Sequence, residues 1–413
     1  MPKERLHVLF ISELYPNPVR PALGIFVENQ ARHLLPYCDV TVIAPVRVFP
    51  HLRLWKRLIR PRSFLKEWKQ WQAELRHIPF YRESDSGIPV FYPRYTSPPR
   101  QIFHGLWGFF AYPFLLNLLK DLHHSHHFDL VHAHYASPCG VIALLARRWM
   151  KLPVIVSIHG ADVTYTAKQN PVSATIIRWV FRNADAILAN STWTMRQIVR
   201  YGGTPEKAQI VRLGGNPSDA MTNLQARRIR NEAINLLSVG YLEERKGHSY
   251  VLHALRRLRD EGHLRYVIVG DGSQREPLER LARSLGIDDI VSFEGYKPHQ
   301  EVWRYFASCD IFVLPSWNEA FGIVYIEALS QGKPVIGCEG AGGPEDLKAL
   351  GDCIELVKPR DVESLVVALR RLINDPERRR QMGEIGQRIV QEYFSWERNA
   401  ADTFAIYCQI LQR

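Results

Sequence analysis

Short apolar segments alternate with helix-like segments along nearly the whole chain of 413 residues. Apolar strands covered on both faces and separated by helical stretches favour a parallel sheet with helices on both sides. The sequence therefore predicts an α/β protein built from two successive parallel sheets. The predicted strands are 6–14, 39–45, 88–94, 130–134, 154–159, 186–189 and 210–213 in the first half, and 234–239, 266–269, 290–293, 311–314, 335–337 and 354–357 in the second.

The segment after the strand at 311–314 leads into a helix that is apolar on nearly all sides and carries Glu327. Such a helix is buried, and a buried carboxylate needs a partner. Glu319 precedes the helix, and Gly322 lets the backbone approach a ligand closely. The free N–H groups of the first turn attract an anion. This combination predicts a pocket for a phosphorylated sugar; the alternative is a first-turn acid favoured by the helix dipole and a second acid on a wet edge.

Residues 315–345 read PS-x-x-E-x-FG-x-x-x-x-EAL-x-x-G-x-PV and continue to GGPE. This pattern resembles the signature of retaining glycosyltransferases of family four. The resemblance implies the GT-B fold, in which two doubly wound Rossmann-like domains face each other across a cleft. It also implies that Glu319 touches the donor sugar and that Glu327 accepts hydrogen bonds from ribose. The N–H groups that would contact the sugar or phosphate belong to Phe321, Gly322, Ile323 and Val324.

The same resemblance sets the predicted domain organisation. We expect an N-terminal acceptor-side domain over 1–214, a polar linker over 215–233 and a nucleotide-sugar donor domain over 234–390. A C-terminal helix over 391–413 is expected to return to the N-terminal domain, as in the family.

The loop at 239–247 resembles the family's loop between the first strand and helix of the donor domain. The resemblance implies that Lys246 neutralises the diphosphate. Fixed cations aimed at developing charge are a large source of rate enhancement. Tyr241 replaces the family's usual arginine, and Arg245 is the candidate to supply the missing charge.

The segment 269–273 contains Gly272 and resembles the family element that lines the nucleotide pocket. Arg275 stands where a dinucleotide loop would have its third glycine, which argues against a nicotinamide or flavin cofactor.

Two elements of the first half complete the resemblance. The segment 157–162 resembles the family's H-G-x-D, which implies that His159 lies beside donor sugar and acceptor. A polar strand-end histidine and a helix-capping aspartate are the alternative. Gly24 belongs to a loop that closes over the diphosphate in the family. The Gly-Ile-Phe-Val sequence starting there resembles that of transferases that build exopolysaccharide or teichuronic-acid-like polymers.

The net charge of +11 is concentrated between residues 47 and 76. This segment interleaves three tryptophans with the basic residues Arg47, Arg53, Lys56, Arg57, Arg60, Arg62, Lys66, Lys69 and Arg76. Such a composition favours contact with an anionic membrane surface, and a basic solvated excursion is the alternative. No nucleic-acid-binding motif accompanies it, so nucleic acid is not an expected partner.

Residues 102–119 carry no charge, but they include Pro113 and lie between predicted strands of one sheet. We therefore predict a broken, buried or membrane-dipping helix rather than a membrane span. The histidine run at 123–127 is predicted to be a solvated loop, with metal binding as the alternative. Scattered cysteines and the absence of a signal peptide indicate a cytoplasmic protein.

Together, these features predict a hexosyltransferase at the inner face of the plasma membrane, and the family resemblance implies that it is retaining. A UDP- or GDP-sugar is the expected donor, and a glycan or polyprenyl-linked glycan is the expected acceptor. No metal is expected, because no Asp-x-Asp stands near the predicted cleft strands. Two alternatives stay open: a non-catalytic nucleotide-sugar-binding protein, suggested by Tyr241, and a GT-B sugar-nucleotide epimerase.

Overall fold

The computed structural model describes residues 5–48, 69, 72–98, 103, 105–215 and 233–412. The chain divides into two compact units. Unit 1 comprises Met1–Val211 and Asn399–Arg413, and unit 2 comprises Arg212–Arg398. Most of the predicted basic insertion at 47–76, and nearly all of the predicted linker at 215–233, lie outside the described residues.

Unit 1 contains an eight-stranded sheet in the order β10-β9-β8-β7-β1-β2-β5-β4 and a small pair of β3 with β6. Its strands are β1 (His7–Ile11), β2 (Asp39–Ile43), β3 (Val46–Arg47), β4 (Tyr81–Glu83), β5 (Pro89–Phe91), β6 (Arg94–Tyr95), β7 (Leu130–His134), β8 (Val154–Ile158), β9 (Ala186–Ala189) and β10 (Ala208–Ile210). Its helices are α1 (Ile25–Leu34), α2 (Trp107–His126), α3 (Val141–Met150), α4 (Ala161–Thr164), α5 (Pro171–Asn183) and α6 (Thr192–Arg200).

The two faces of this sheet are covered by separate cores. Along β1, Leu9 and Ile11 pack in one apolar cluster, and Val8 and Phe10 pack in the other. This alternation follows from the two-residue period of a strand, and burial on both sides explains why the strand reads as a continuous apolar run. One strand departs from the predicted parallel arrangement. β4 pairs with β5 in antiparallel fashion, because the connection between them is too short for a crossover.

The uncharged segment at 102–119 forms most of α2, which runs through Pro113 without a break. Its buried face includes Ala111, Leu115 and Leu119, which join the unit 1 core. Outside this buried face, Phe109 and Phe114 are exposed. The helix is therefore buried on one side and continuous rather than broken. Among the described residues, no helix is both long and apolar enough to cross a membrane.

Unit 2 contains a six-stranded parallel sheet in the order β13-β12-β11-β14-β15-β16. Its strands are β11 (Ile234–Val239), β12 (Leu264–Val269), β13 (Val291–Gly295), β14 (Ile311–Val313), β15 (Val335–Cys338) and β16 (Ile354–Val357). Its helices are α7 (His248–Leu258), α8 (Arg275–Ser284), α9 (His299–Ser308), α10 (Ile323–Ser330), α11 (Gly342–Leu350), α12 (Val362–Asn374) and α13 (Pro376–Tyr393). Renumbered within the unit, the order is 3-2-1-4-5-6, the doubly wound arrangement that binds ligands beyond the carboxyl ends of strands 1 and 4.

The last helix, α14 (Trp396–Leu411), contributes its residues from Asn399 onward to unit 1. Thr403 accepts a hydrogen bond from buried Gln30 at 3.0 Å. The Tyr407 hydroxyl lies 2.6 Å from Nδ1 of buried His132 on β7. The end of the chain is thus part of the unit 1 core.

Candidate active site

In unit 2, the loops after β11 and β14 meet at the point where the strand order reverses. A 3-10 turn at Glu244–Lys246 ends at Gly247, whose φ is 77°. A Cβ on Gly247 would lie 2.5 Å from the carbonyl oxygen of Pro315, so only glycine fits this close approach. The Trp317 N–H donates to the Arg245 carbonyl at 3.0 Å. These contacts hold the lysine loop against the loop that carries Glu319.

Lys246 and Glu319 form an ion pair at this junction. Lys246 Nζ donates to Glu319 Oε2 at 2.6 Å, and the two side chains are 11% and 14% exposed. Ser316 Oγ donates to the same oxygen at 3.2 Å, and Arg245 lies 3.7 Å from it. Burial acts to raise the pKa of Glu319, but Lys246, Arg245 and Ser316 outweigh burial and lower it. Glu319 is therefore ionised near neutral pH and faces a cluster of positive charge.

The N-termini of two helices lie close to this pair. α10 begins after Gly322, whose φ is 76°, and has no side-chain cap. Helix starts of this kind leave backbone N–H groups available to an anion, here in the half-buried first turn at Ile323 and Val324. The N–H of Gly342, which begins α11, donates to the Glu319 carbonyl at 2.7 Å. The Phe321 ring, in contrast, packs against Phe394 with ring centres 6.0 Å apart.

Glu327 lies inside α10 and is only 4% exposed. Its partner is His299, the first residue of α9, whose Nε2 lies 2.7 Å from Glu327 Oε1. The predicted partner of the buried carboxylate is thus a histidine of the neighbouring helix. The sequence analysis missed this residue. A usable signal was its place in the segment that follows the predicted strand 290–293 of the second sheet, at the same carboxyl edge as Glu319.

The loops after β11 and β12 pack backbone against backbone. A Cβ on Gly272 would lie 2.5 Å from the Leu242 carbonyl oxygen, and the Leu242 N–H donates to the Asp271 carbonyl at 3.0 Å. Tyr241, which replaces the family's arginine, is 74% exposed. Gly272 is therefore needed for loop packing, and Tyr241 contributes no charge beside Glu319.

The carboxyl edge of the unit 1 sheet carries two histidines in contact with each other. His134 Nδ1 lies 3.1 Å from His159 Nε2, and the two rings stack with centres 5.4 Å apart. Burial lowers the pKa of both, that of His159 to about 3, so both are neutral near pH 7. Asp162 Oδ1 accepts a hydrogen bond from the Ala136 N–H at 2.7 Å. Asp162 therefore ties the loop after β8 to the loop after β7.

Gly24 precedes α1 with a φ of 66°, and a Cβ there would lie 2.1 Å from the carbonyl oxygen of Leu14. The loop after β1 thus depends on glycine at this position. Nearby, Phe26 lies against His159 with ring centres 4.7 Å apart.

The histidine run at 123–127 was predicted to be a loop, but it forms the last turn and cap of α2. Within the described ranges, no group of three or more His, Cys, Asp or Glu residues is arranged to hold a metal ion.

Two known protein families match this chain, each over part of its length. The family described as "Glycosyl transferase 4-like domain" matches residues 38–214, and the family described as "Glycosyl transferases group 1" matches residues 221–389. A D-inositol 3-phosphate glycosyltransferase from Streptomyces bingchenggensis is 30% identical over 314 residues, which are 70% of this chain and 68% of the relative. The chain belongs to the group 1 glycosyltransferases.

Two other relatives are similar to this group 1 glycosyltransferase. The putative teichuronic acid biosynthesis glycosyltransferase TuaC of Bacillus subtilis is 27% identical over 406 residues, which cover 96% of both chains. An MMP alpha-(1->4)-mannosyltransferase of Mycolicibacterium hassiacum is 34% identical over 186 residues, and that match spans 45% of either chain.

Solved structures share the GT-B fold of this glycosyltransferase. The sucrose-phosphate synthase of Thermosynechococcus elongatus superposes with a TM-score of 0.76 at 21% identity, covering 99% of this chain and all of the other. Anabaena HepE in complex with UDP and glucose has a TM-score of 0.68 at 19% identity, covering 97% of this chain and all of the other.

Proposed function

We propose that this glycosyltransferase is a retaining enzyme that transfers a hexose from a nucleotide sugar to a hydroxyl of a glycan or lipid-linked glycan. The observation that carries the proposal is the buried Lys246–Glu319 pair at the strand-order reversal of unit 2. A cation, an ionised acid and an uncapped helix start converge there, which suits a diphosphate that leaves with growing negative charge.

Each residue of the site has a proposed role toward the donor. Lys246, assisted by Arg245, neutralises the diphosphate, and Glu319 contacts the donor sugar. The N–H groups of the α10 start bind the sugar or phosphate, and Glu327 accepts from ribose. These protein charges act in place of a metal ion in the proposal.

UDP is the first candidate nucleotide, because HepE is known in complex with UDP and glucose. GDP is the second. The similarity to TuaC, a putative teichuronic acid biosynthesis glycosyltransferase that aligns over nearly the full chain, supports a growing glycan as the acceptor. In unit 1, we propose that His159 orients the sugar and acceptor and that the Gly24 loop closes over the diphosphate.

Thermal stabilisation by UDP, GDP and ADP tests the nucleotide. For the selected nucleotide, Glu327→Ala should weaken nucleoside diphosphate binding by roughly 1.5–3 kcal/mol, the range for hydrogen bonds to charged groups. Glu319→Gln should instead lower turnover much more than nucleotide affinity.

The anomeric configuration of the product relative to the donor decides whether the enzyme is retaining. If none of the three nucleotides stabilises the folded protein, the proposed function is wrong.

We also propose peripheral attachment to the cytoplasmic face of an anionic membrane. Exposed Phe103, Phe109 and Phe114 provide apolar side chains at the surface of unit 1. The basic residues between 47 and 76 add electrostatic attraction, worth about 1 kcal/mol for each residue near the surface.

Vesicle sedimentation tests this attachment. Binding should be stronger to anionic than to zwitterionic vesicles and should be largely reversed by high salt. Changing Lys56, Arg57, Arg60 and Arg62 to Glu should release the protein. A charge-matched control changes Arg256, Arg265, Arg283 and Arg304, which are exposed residues of unit 2, and should leave binding largely intact. Equal binding to both kinds of vesicle would contradict the proposal.

A further inference from the structure

The contact between His299 and Glu327 suggests a role that the family resemblance does not supply. Glu327 is the charged residue among the buried positions of α10, which are otherwise Tyr325, Ile326, Ala328 and Leu329. An isolated carboxylate in such surroundings would lose its charge or destabilise the fold. The His299 ring, supplied from α9, provides the partner at 2.7 Å.

This contact uses only one of the two carboxylate oxygens. His299 Nε2 donates to Oε1 of Glu327, whereas Oε2 has no hydrogen-bond partner among the residues that the structure describes. The imidazole is itself held in place, because its ring meets Trp303 edge-on with centres 5.7 Å apart. The arrangement therefore fixes the carboxylate in one orientation and keeps one oxygen for another donor.

The charges around His299 favour its protonated form. Burial acts to lower the pKa of His299, but the hydrogen bond and the charge of Glu327 outweigh burial and raise it above its usual value. Of the nearby ionisable groups, Lys297 and Glu294 pair with each other at 3.8 Å, and Glu301 and Arg304 follow on α9. Glu327 is the group in direct contact. Charge-assisted hydrogen bonds are roughly twice as strong as neutral ones, so the hydrogen bond between His299 and Glu327 is strongest while His299 is protonated.

We propose that His299 is a positioning residue of the donor site, which holds Glu327 by Oε1 so that Oε2 is presented to a ribose hydroxyl. This inference rests on the proposed function, because it takes Glu327 to be the ribose acceptor. It adds a residue to that site and makes ribose recognition sensitive to pH. Discrimination between ribose and deoxyribose should weaken as the pH rises through the pKa of His299.

The test compares affinities for UDP and for its 2′-deoxy and 3′-deoxy forms between pH 5.5 and 8.5, or for the matching GDP series if GDP is selected. All forms carry the same diphosphate, so the affinity ratio cancels phosphate titration. The wild-type ratio should be roughly 10- to 150-fold in favour of the ribo form for at least one hydroxyl. The ratio should be larger at low pH.

His299→Ala should reduce this ratio by about tenfold and remove its pH dependence. His299→Gln keeps a neutral donor, so it should retain an intermediate ratio that does not change with pH. His253→Ala, on the exposed face of α7, is the matched control and should behave as the wild type. If His299→Ala fails to fold, His299→Gln still tests the inference, because its affinity ratio should not change with pH.

A wild-type ratio and pH profile in the His299 variants would overturn this inference. The proposed function would survive that result as long as Glu327→Ala abolishes the ratio. If Glu327→Ala also leaves the ratio unchanged, the proposed ribose role of Glu327 fails instead, and the two failures are thereby distinguished.

Discussion

The carboxyl edges of both sheets are formed by loops that follow parallel strands. The two edges differ in charge, because unit 1 has neutral histidines there and unit 2 has charged side-chain pairs. In unit 1, the rings of His132, His134 and His159 stack with successive centres 4.6 and 5.4 Å apart. Burial lowers the pKa of each, so the stack is uncharged near pH 7. In unit 2, the corresponding edge holds the Lys246–Glu319 and His299–Glu327 pairs.

The difference shows that a doubly wound sheet fixes where a site forms but not its chemistry. A neutral edge offers hydrogen bonds without attracting counterions, which suits the hydroxyls of a sugar or acceptor. A charged edge with a free helix start suits a diphosphate. We therefore expect charge-removing substitutions to affect the two units in different ways.

The largest expected effect is on turnover in unit 2. Lys246→Met removes the cation 2.6 Å from Glu319 and should lower turnover by roughly 10²–10³-fold, the range for loss of one preorganised stabilising group. Steady-state kinetics with the selected nucleotide sugar measures it. Lys348 forms an exposed ion pair with Asp352, so Lys348→Met is the control and should leave turnover nearly unchanged. Similar losses for both variants would remove the special role of the charged edge.

A stability effect is expected in unit 1. Burial raises the pKa of Asp162 to about 7, although backbone N–H groups including that of Ala136 act to lower it. A carboxyl whose pKa rises on folding stabilises the protein below its unfolded pKa, and this stability is lost as the pH rises through about 7. Asp162→Asn keeps the acceptor for Ala136 but cannot ionise, so it should be more stable than wild type at pH 8 by roughly 2–4 kcal/mol.

Urea denaturation at pH 4, pH 5 and pH 8 measures this difference, which should be clearly smaller at pH 5 than at pH 8 and should nearly vanish only at about pH 4, close to the unfolded pKa. Asp85→Asn is the control, because the Asp85 side chain is 98% exposed. A variant less stable than wild type at pH 8 would mean that the backbone N–H groups stabilise the Asp162 carboxylate by more than burial destabilises it, and the raised pKa of Asp162 would then be wrong.

The smallest expected effect concerns Arg245, which is 40% exposed and pairs more closely with Glu243 than with Glu319. Arg245→Ala should lower turnover by about tenfold or less, because exposed pairs contribute little. Adding Tyr241→Arg, at the family's usual arginine position, should restore the loss. A defect as severe as that of Lys246→Met would make Arg245 an equal partner in the charged edge.

Local patterns predicted much of this architecture. Continuous apolar runs located the strands, for example β11 over Ile234–Val239, and the strand-glycine-helix pattern placed Glu319 before α10. Two strand ends were misjudged: the strand predicted at 210–213 is β10 at Ala208–Ile210, because burial alone does not mark where pairing begins.

The contacts that sequence could not supply join distant parts of the chain. His299 and Glu327 are close although α9 follows β13 and α10 follows β14, two strands that β12 and β11 separate in the sheet. No periodicity in the sequence encodes that distance. The sequence was equally consistent with Asp162 as a helix cap. Its buried hydrogen bond from the Ala136 N–H forms only because two loops meet in the folded protein. The antiparallel β4 escaped notice because Tyr81–Glu83 is short and exposed.

The bond between Tyr407 and His132 bears on the order in which the protein is completed during synthesis. Multidomain chains generally fold from the N-terminus as they leave the ribosome. Here the N-terminal unit includes Asn399–Arg413, whereas unit 2 lies wholly between its two parts. Unit 2 can finish folding first, and the histidine stack gains its hydrogen bond from Tyr407 only after the chain beyond unit 2 has been made. A nascent chain stalled before Tyr407 would carry the charged edge of unit 2 in place, while His132 in unit 1 would still lack its contact with the Tyr407 hydroxyl.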